Sequence, residues 1–332
     1  MSVTPGRRQT ILRTAIVVAA ATTAVSRDAM SQATAIVGEG ALDLLLPTGA
    51  RTVALGQAAT ALKGSTESVW GNPSGIAAIT ATTAALHHSR SAGGKADAVS
   101  VVAHSRLLGS FGVSASLREL GPSDNTDASG AEGGTILPRS LIYAATYAAG
   151  IDKLNVGLTY KLMQFRLDCT GPCSEDTGVM GSTSAVDAGA QFSLSSFIPV
   201  TIGASVRNVG LRMQVNDGPQ ADDLPSRLQA GMEVRISKLD ELVNGAELRV
   251  NADMISELGR MDPSPRLGAE LAWQRRFHVR GGYASRAAGY GGPSLGVGYE
   301  GSSLAIDFAR LFDEVSSFTG NDPTYLSVRY RF

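Results

Sequence analysis

The chain ends in Tyr325-Leu-Ser-Val-Arg-Tyr-Arg-Phe332, and the reading of this stretch decides the fold. In an extended strand side chains alternate between two faces. Leu326, Val328, Tyr330 and Phe332 therefore share one face, while Ser327, Arg329 and Arg331 share the other. Upstream the pattern repeats: Leu304, Ile306 and Phe308 oppose Ala305, Asp307 and Ala309. Leu248, Val250, Ala252 and Met254 oppose Glu247, Arg249, Asn251 and Asp253. The stretches from Leu154 to Leu162 and from Val186 to Leu194 alternate in the same way. A soluble antiparallel sheet also alternates, with its apolar face inward, so number, length and connection parity have to separate the two.

Fourteen segments alternate, near 79–88, 97–106, 109–118, 139–149, 153–167, 182–195, 199–209, 225–236, 245–256, 265–274, 276–285, 292–299, 302–312 and 323–332. Most run about 10 residues, the span of a tilted membrane strand. Short connections (Arg106 to Gly109, Gly150 to Asp152, around 196–198, Arg275, Glu300-Gly301) alternate with longer ones (119–138, 168–181, 210–224, 257–263, 313–322). The turn 237–244 is long for its class. Short turns on one side, long loops on the other and an even strand count are the marks of an outer-membrane barrel with both termini in the periplasm. Aromatics near strand ends, among them Phe165, Trp273, Phe277, Tyr283, Tyr299 and Tyr325, suit interfacial girdles. The fold class predicted is an all-β antiparallel transmembrane barrel of about 14 strands with a small N-terminal plug.

Composition agrees. The 332 residues are 43% hydrophobic and 18% charged. Beyond the N-terminus no apolar run approaches the ~18 residues of a membrane helix, which excludes a helical membrane bundle. With Lys+Arg 29 against Asp+Glu 30, no basic excess exists to neutralise nucleic acid. Residues 1–33 read as an export signal: Arg7, Arg8 and Arg13 precede the apolar run Ala15 to Val25, and small residues follow at signal-peptidase spacing, Ser31-Gln32-Ala33 or Ala33-Thr34-Ala35. Cleavage after 33 removes four Arg and one Asp, leaving 25 basic and 29 acidic residues, a net charge of −4. Cys169 and Cys173, the two cysteines, flank Gly171-Pro172 in a predicted outward loop and read as a disulfide in an oxidising compartment.

Residues 34–78 show no sustained alternation and form the candidate plug, with the barrel at 79–332. Within it, Arg51 to Lys63 has the composition of a short helix, and Trp70-Gly-Asn-Pro-Ser-Gly-Ile-Ala77 reads as a turn. Asn72-Pro73 restricts the backbone there, and Gly71 and Gly75 permit positive φ. These residues carry a resemblance. Ala50 to Ala59 is similar to an "ARALGMGGA"-like stretch, and Trp70 to Ala77 to the "WNPAGLA"-like box, of the PorV/PorQ family within the wider FadL-type outer-membrane proteins. Gly71 is inserted in the box, and Ser74 replaces its usual Ala. Further matches lie at 224–231, 266–270 and 291–298. The terminal alternation ending in Phe332 resembles the assembly signal of outer-membrane barrels, with Tyr330 and Phe332 on the signal face.

No catalytic constellation stands out, and the chain reads as a non-enzyme without cofactor or metal. Adjacent His87 and His88 must face opposite sides of a strand, which argues against a shared metal. Arg207, Arg227, Glu233, Arg235, Glu247, Arg249, Asp253, Glu270, Arg280, Asp307, Arg329 and Arg331 fall on the predicted inner face. Such mixed charges read as a cross-strand structural network before an ion-selective pore, which would show one sign at a constriction. Gly296 and Gly298 leave room inside their strand for close approach of the plug or a ligand. The PorV/PorQ resemblance implies surface delivery of exported proteins through a type IX-type system, with secreted cargo, secretion-system subunits, the barrel-assembly machinery and outer-membrane lipid as partners. The alternative is FadL-like passage of a hydrophobic small molecule such as a long-chain fatty acid.

Overall fold

The computed structural model describes residues 39–91, 94–126, 132–171, 180–194, 198–216, 221–236, 239, 243–258, 263–285, 291–312 and 322–332. The export signal predicted at 1–33 and Cys173 lie outside them. Fourteen antiparallel strands form the wall: β1 Thr83–Ser91, β2 Gly94–Ser105, β3 Gly109–Glu119, β4 Glu132–Ile151, β5 Leu154–Thr170, β6 Met180–Leu194, β7 Val200–Gly210, β8 Arg227–Ile236, β9 Ala246–Glu257, β10 Ser264–Trp273, β11 Phe277–Ala284, β12 Gly292–Glu300, β13 Leu304–Leu311 and β14 Thr324–Arg331. Each pairs with its neighbours, and β14 pairs back onto β1 from Thr83↔Arg331 to Arg90↔Thr324, which closes the barrel. Closure leaves no sheet edge with unpaired backbone, the condition for strands to stand in lipid. Short pieces at Ser123–Thr126, Met213–Val215 and Ala221–Asp222 extend the sheet on the side of the long loops.

Alternation in sequence becomes alternation in burial. Thr83, Ala85 and His87 of β1 are buried while Leu86 faces out, and β13 alternates exposed and buried along its whole length. Leu86, Val113, Leu158, Val279 and Leu295 are 55–64% exposed on the outer face. Large apolar side chains spread over a whole surface are untenable in water and suited to a bilayer. Tight turns close the other end. Gln274 and Arg275 both adopt positive φ (51° and 56°), and the Arg276 N–H bonds the Trp273 carbonyl at 3.0 Å, the twist-matched geometry of a hairpin turn. β4 and β5, at 20 and 17 residues, rise well beyond the expected ten on the loop side. β1 begins at Thr83 instead of 79, because Ile79 is buried at the end of the preceding segment, its N–H on the Ile76 carbonyl.

That preceding segment runs through the lumen from the loop end to the turn end. Glu39 bridges Asp223 beside the outer loops, and the Thr82 carbonyl accepts the Phe332 N–H at the turn end. Between them lie four short helices: a 3₁₀ turn Leu42–Leu45, α1 Ala50–Ala54, and 3₁₀ helices Thr66–Trp70 and Pro73–Ala78. The helix expected over Arg51 to Lys63 stops at Ala54. Gly56 and Gln57 turn with φ of 59° and 62°, since Gly56 must lie flat on the β10–β11 backbone, where a Cβ would come within 2.4 Å of the Tyr283 nitrogen.

Candidate functional site

The inner segment is held by a track of wall glycines. Added Cβ atoms would meet Ala54 at Gly296 (2.5 Å), the Gly56 nitrogen at Gly282 (2.0 Å), the Leu55 carbonyl at Gly268 (2.4 Å) and the Thr60 carbonyl at Gly203 (2.4 Å). At Gly157 the obstacle is the Pro73 backbone at 2.5 Å. Glycine at these inward positions lets backbone pack on backbone, which is where much of the chain's high glycine content goes. The room expected inside Gly296 is taken by the inner segment, and that inside Gly298 by the Arg280 and Asp307 side chains.

The Trp70–Ala77 box seats the segment against β6 and β7. Asn72 caps the Pro73–Ala78 helix by accepting the Ser74 N–H, with Pro73 at the first helical position. Its side-chain amide donates to the carbonyls of Thr60 (2.7 Å), Ala190 (3.3 Å) and Ala204 (3.4 Å), so one side chain ties two turns of the segment to two wall strands. Ser74, the departure from the usual Ala, donates its hydroxyl to Asn72 Oδ1 at 2.7 Å. Neither Gly71 nor Gly75 uses the positive φ expected of it. Gly75 is required instead by close approach, a Cβ falling 2.3 Å from Ser68 Oγ.

Charges fill the other side of the lumen. Glu270 of β10 receives Arg51 of α1 at 3.0 Å, Arg280 at 2.5 Å and Arg249 at 3.4 Å. Arg280 also holds Asp307 at 2.7 Å, and Arg329 reaches Asp307 at 3.5 Å. The mixed charges of the inner face are thus cross-linked and include one cation of the inner segment. Burial alone would lower the Arg51 guanidinium. The facing Glu270, Glu233 and Asp307 carboxylates outweigh that and hold it above the usual arginine value. Glu67, which sequence reasoning missed, is buried and accepts the Thr52 N–H (2.8 Å) and hydroxyl (2.6 Å) and the Arg51 N–H (3.3 Å). Its signal was available: it is the only acid between Asp43 and Asp97.

Above this packed level, between the inner segment and β7–β10, a cavity of about 430 Å³ lies on the loop side. Leu42, Leu45, Leu46, Trp70 and Ile255 give it apolar walls; Arg207, Arg227, Arg266, Gln57 and Gln229 give it polar ones. Arg227 is clamped by Glu39 (2.9 and 3.0 Å) and Glu257 (3.4 Å), and Arg266 donates to Gln57 at 3.0 Å. Among the described residues, Arg207 makes only a 3.5 Å bond to the Leu44 carbonyl and the Trp70 indole N–H has no partner. Size and mixed lining are those of a small-molecule pocket. Among the described residues no group of three His, Cys, Asp or Glu could hold a metal.

Residues 14–231 match the uncharacterised protein family UPF0164. The chain belongs to that family. No curated protein matches it. Among solved structures, this UPF0164 chain is similar to the toluene transporter TodX of P. putida, at TM-score 0.58 and 11% identity over 86% of this chain and 99% of that one. It is also similar to the toluene transporter TbuX of Ralstonia pickettii (TM-score 0.53, 13% identity, 86% and 98%). A FadL homologue of Pseudomonas aeruginosa follows at TM-score 0.50 and 12% identity, over 86% and 99%. The likeness shows the fold alone, a closed antiparallel β-barrel with an N-terminal segment inside it; two of these three neighbours are described as toluene transporters.

In the UPF0164 barrel the other singled-out residues are spread widely. His87 faces in, 2.8 Å from Ser327, while His88 faces out, 2.7 Å from Asp97, so the two do not share a site. Tyr330 and Phe332 stack edge-on at 4.9 Å on the outer face of the turn end. Cys169, near the loop end of β5, is disulfide-bonded.

Proposed function

We propose that this barrel passes a small hydrophobic molecule across the outer membrane, with the loop-side cavity as its first binding site and the inner segment as its plug. One observation carries the reading: a cavity with apolar walls stands on the loop side of a segment that otherwise fills a FadL-type barrel. The solved relatives named for toluene transport support the substrate class. The test is uptake of labelled toluene and of a labelled long-chain fatty acid into liposomes carrying the full chain. Uptake of either above empty liposomes, reduced by Leu46→Arg in the cavity wall, is expected; uptake of neither overturns the proposal.

A second reading follows from the Ala50–Ala59 and Trp70–Ala77 motifs: PorV/PorQ-like surface delivery of exported cargo, with secretion-system subunits as partners. Its support is the motif resemblance. Deleting the gene and finding exported proteins delivered normally to the surface would remove it. In either reading the export signal at 1–33 leads the chain to the barrel-assembly machinery, for which Tyr330 and Phe332 form the signal. Truncating Phe332 is expected to lower the yield of membrane-assembled protein.

A further inference from the structure

The outer face of the wall carries an uneven crown of charge at its loop end. On β13, β14, β1 and β2 one hydrogen-bonded row reads Arg310, Thr324, Arg90, Lys95, and the next residue in that row is Glu119 of β3. All point outward. Arg90 and Lys95 stand directly opposite each other, an arrangement that destabilises a strand pair unless an anion lies between them. The nearby acids are already engaged: Asp322 by Arg310 at 2.6 Å, Glu119 by Lys95 at 2.7 Å and by Arg139 at 3.3 Å. Arg90 has no acidic partner among the described residues.

The strands around this row, β3 included, end at or within a residue or two of it, whereas β4 and the short piece Ser123–Thr126 paired to it continue upward as a taller wall. In the step between them lies an outward groove of about 490 Å³, lined by Arg90 and Lys95, by the already engaged Glu119 and Asp322, and by Leu120, Pro122 and Leu137. Toward the turn end the next outward row is Phe308, Leu326, the His88–Asp97 pair (2.7 Å) and Leu117, and the row after it, Ile306, Val328, Leu86 and Val99, is apolar. The groove therefore sits where the apolar band gives way to head groups. Across the barrel, outward residues near the loop ends of β9 to β12 are Leu258, Tyr283 and Pro293, which carry no charge.

We infer that this groove is a docking site for a phosphate-bearing lipid head group of the outer leaflet, with Arg90 and Lys95 holding phosphate oxygens and Leu120, Pro122 and Leu137 contacting the adjoining apolar part. Arg matches phosphate with paired donors, and Lys adds a point charge. A cation without an acidic partner, facing a second cation beside an apolar band, attracts an anionic lipid head group. The site is independent of what passes through the lumen.

The experiment is native mass spectrometry of the full chain in detergent with phosphatidylcholine, phosphatidylglycerol and diphosphoryl lipid A at equal concentration. The two anionic phosphate lipids are expected to remain bound preferentially. Arg90→Gln with Lys95→Gln is expected to cut that retention at least fivefold, while Arg275→Gln with Arg276→Gln, at the turn end, leaves it unchanged. Heat-modifiable mobility on gels reports whether each variant is a folded barrel. If the double variant fails to fold, wild-type retention between 50 and 500 mM NaCl decides, and salt-insensitive retention overturns the proposal. Equal retention of phosphatidylcholine, retention unchanged by R90Q/K95Q, or an equal loss in the turn-end variant also overturns it.

Discussion

The two halves of this barrel solve opposite problems with the same strand pattern. From β8 to β14 the charges apart from Arg310 point inward, where Glu270, Arg280, Asp307 and Arg329 cross-link the wall and, through Arg51, the inner segment. From β1 to β4 the inner face is made mainly of small or neutral residues such as Ala85, Ser100, Val102, Ser114 and Ala144. That half packs against Val69, Trp70 and Ile76 of the inner segment, and apart from Arg118, buried on the Leu46 carbonyl and the Thr48 hydroxyl, its charges stand outside. The difference shows that alternation fixes only which residues share a face. What each face does depends on its neighbour: the α1 side meets an arginine, the Trp70–Ala78 side an apolar surface.

The sharpest way to break the comparison is to remove the acid at the centre of the charged half, where the largest effect is expected. Glu270→Ala leaves Arg51, Arg280 and Arg249 without their shared carboxylate in a buried site. Uncompensated buried charge costs about 3–5 kcal/mol, read as a lower denaturant midpoint of the folded barrel. A result within error of wild type would mean that water already screens this network.

Adjacent glycines on β11 test the backbone track. Gly282 faces in, and a Cβ there would lie 2.0 Å from the Gly56 nitrogen; Gly281 faces out, and its nearest contact would be 3.6 Å away on Leu295. Gly282→Ala is expected to cost about 1–3 kcal/mol by overpacking and to loosen the inner segment, seen as faster proteolysis near Gly56. Gly281→Ala should leave both measurements unchanged.

A comparable effect is expected on the neutral side. Asn72→Ala removes the amide that reaches the Thr60, Ala190 and Ala204 carbonyls. The longer two of these bonds go to carbonyls of paired strands, so the cost centres on Thr60, at about 1–3 kcal/mol for a buried polar group losing its partner. Hydrogen exchange at residues 58–64 would show the release, with β6 and β7 remaining protected.

The wall was legible in the sequence because burial on one face and lipid on the other enforce a strict period of two, which survives in single strands such as 304–309 and 326–332. The boundary at Ile79 was not legible. An apolar residue at the end of a buried turn looks like the start of an alternating strand. The inner charges were legible by parity, but not their partner Arg51, since the network forms only after a segment far away in sequence enters the lumen. The cavity was not legible for a related reason: Leu42, Leu46, Trp70 and Ile255 come from segments with no common period, and only the path of the inner segment brings them together. The outward groove was hidden because the register of four strands, and no single motif, aligns Arg310, Arg90 and Lys95.

The smallest effect belongs to the outer face and closes the comparison. Arg310 holds Asp322 with two donors, at 3.0 and 2.6 Å, a geometry as good as that of Arg280 on Glu270, yet its side chain is half exposed. Water and head groups solvate both charges when the pair is broken, so Arg310→Gln is expected to change stability by about 0–1 kcal/mol. The same measurement on Glu270→Ala supplies the scale. If Arg310→Gln cost as much as Glu270→Ala, geometry alone would set the strength of these pairs. A small loss beside a large one assigns the difference to burial, which is what the sequence cannot encode in a single strand and the closed barrel with its inner segment supplies.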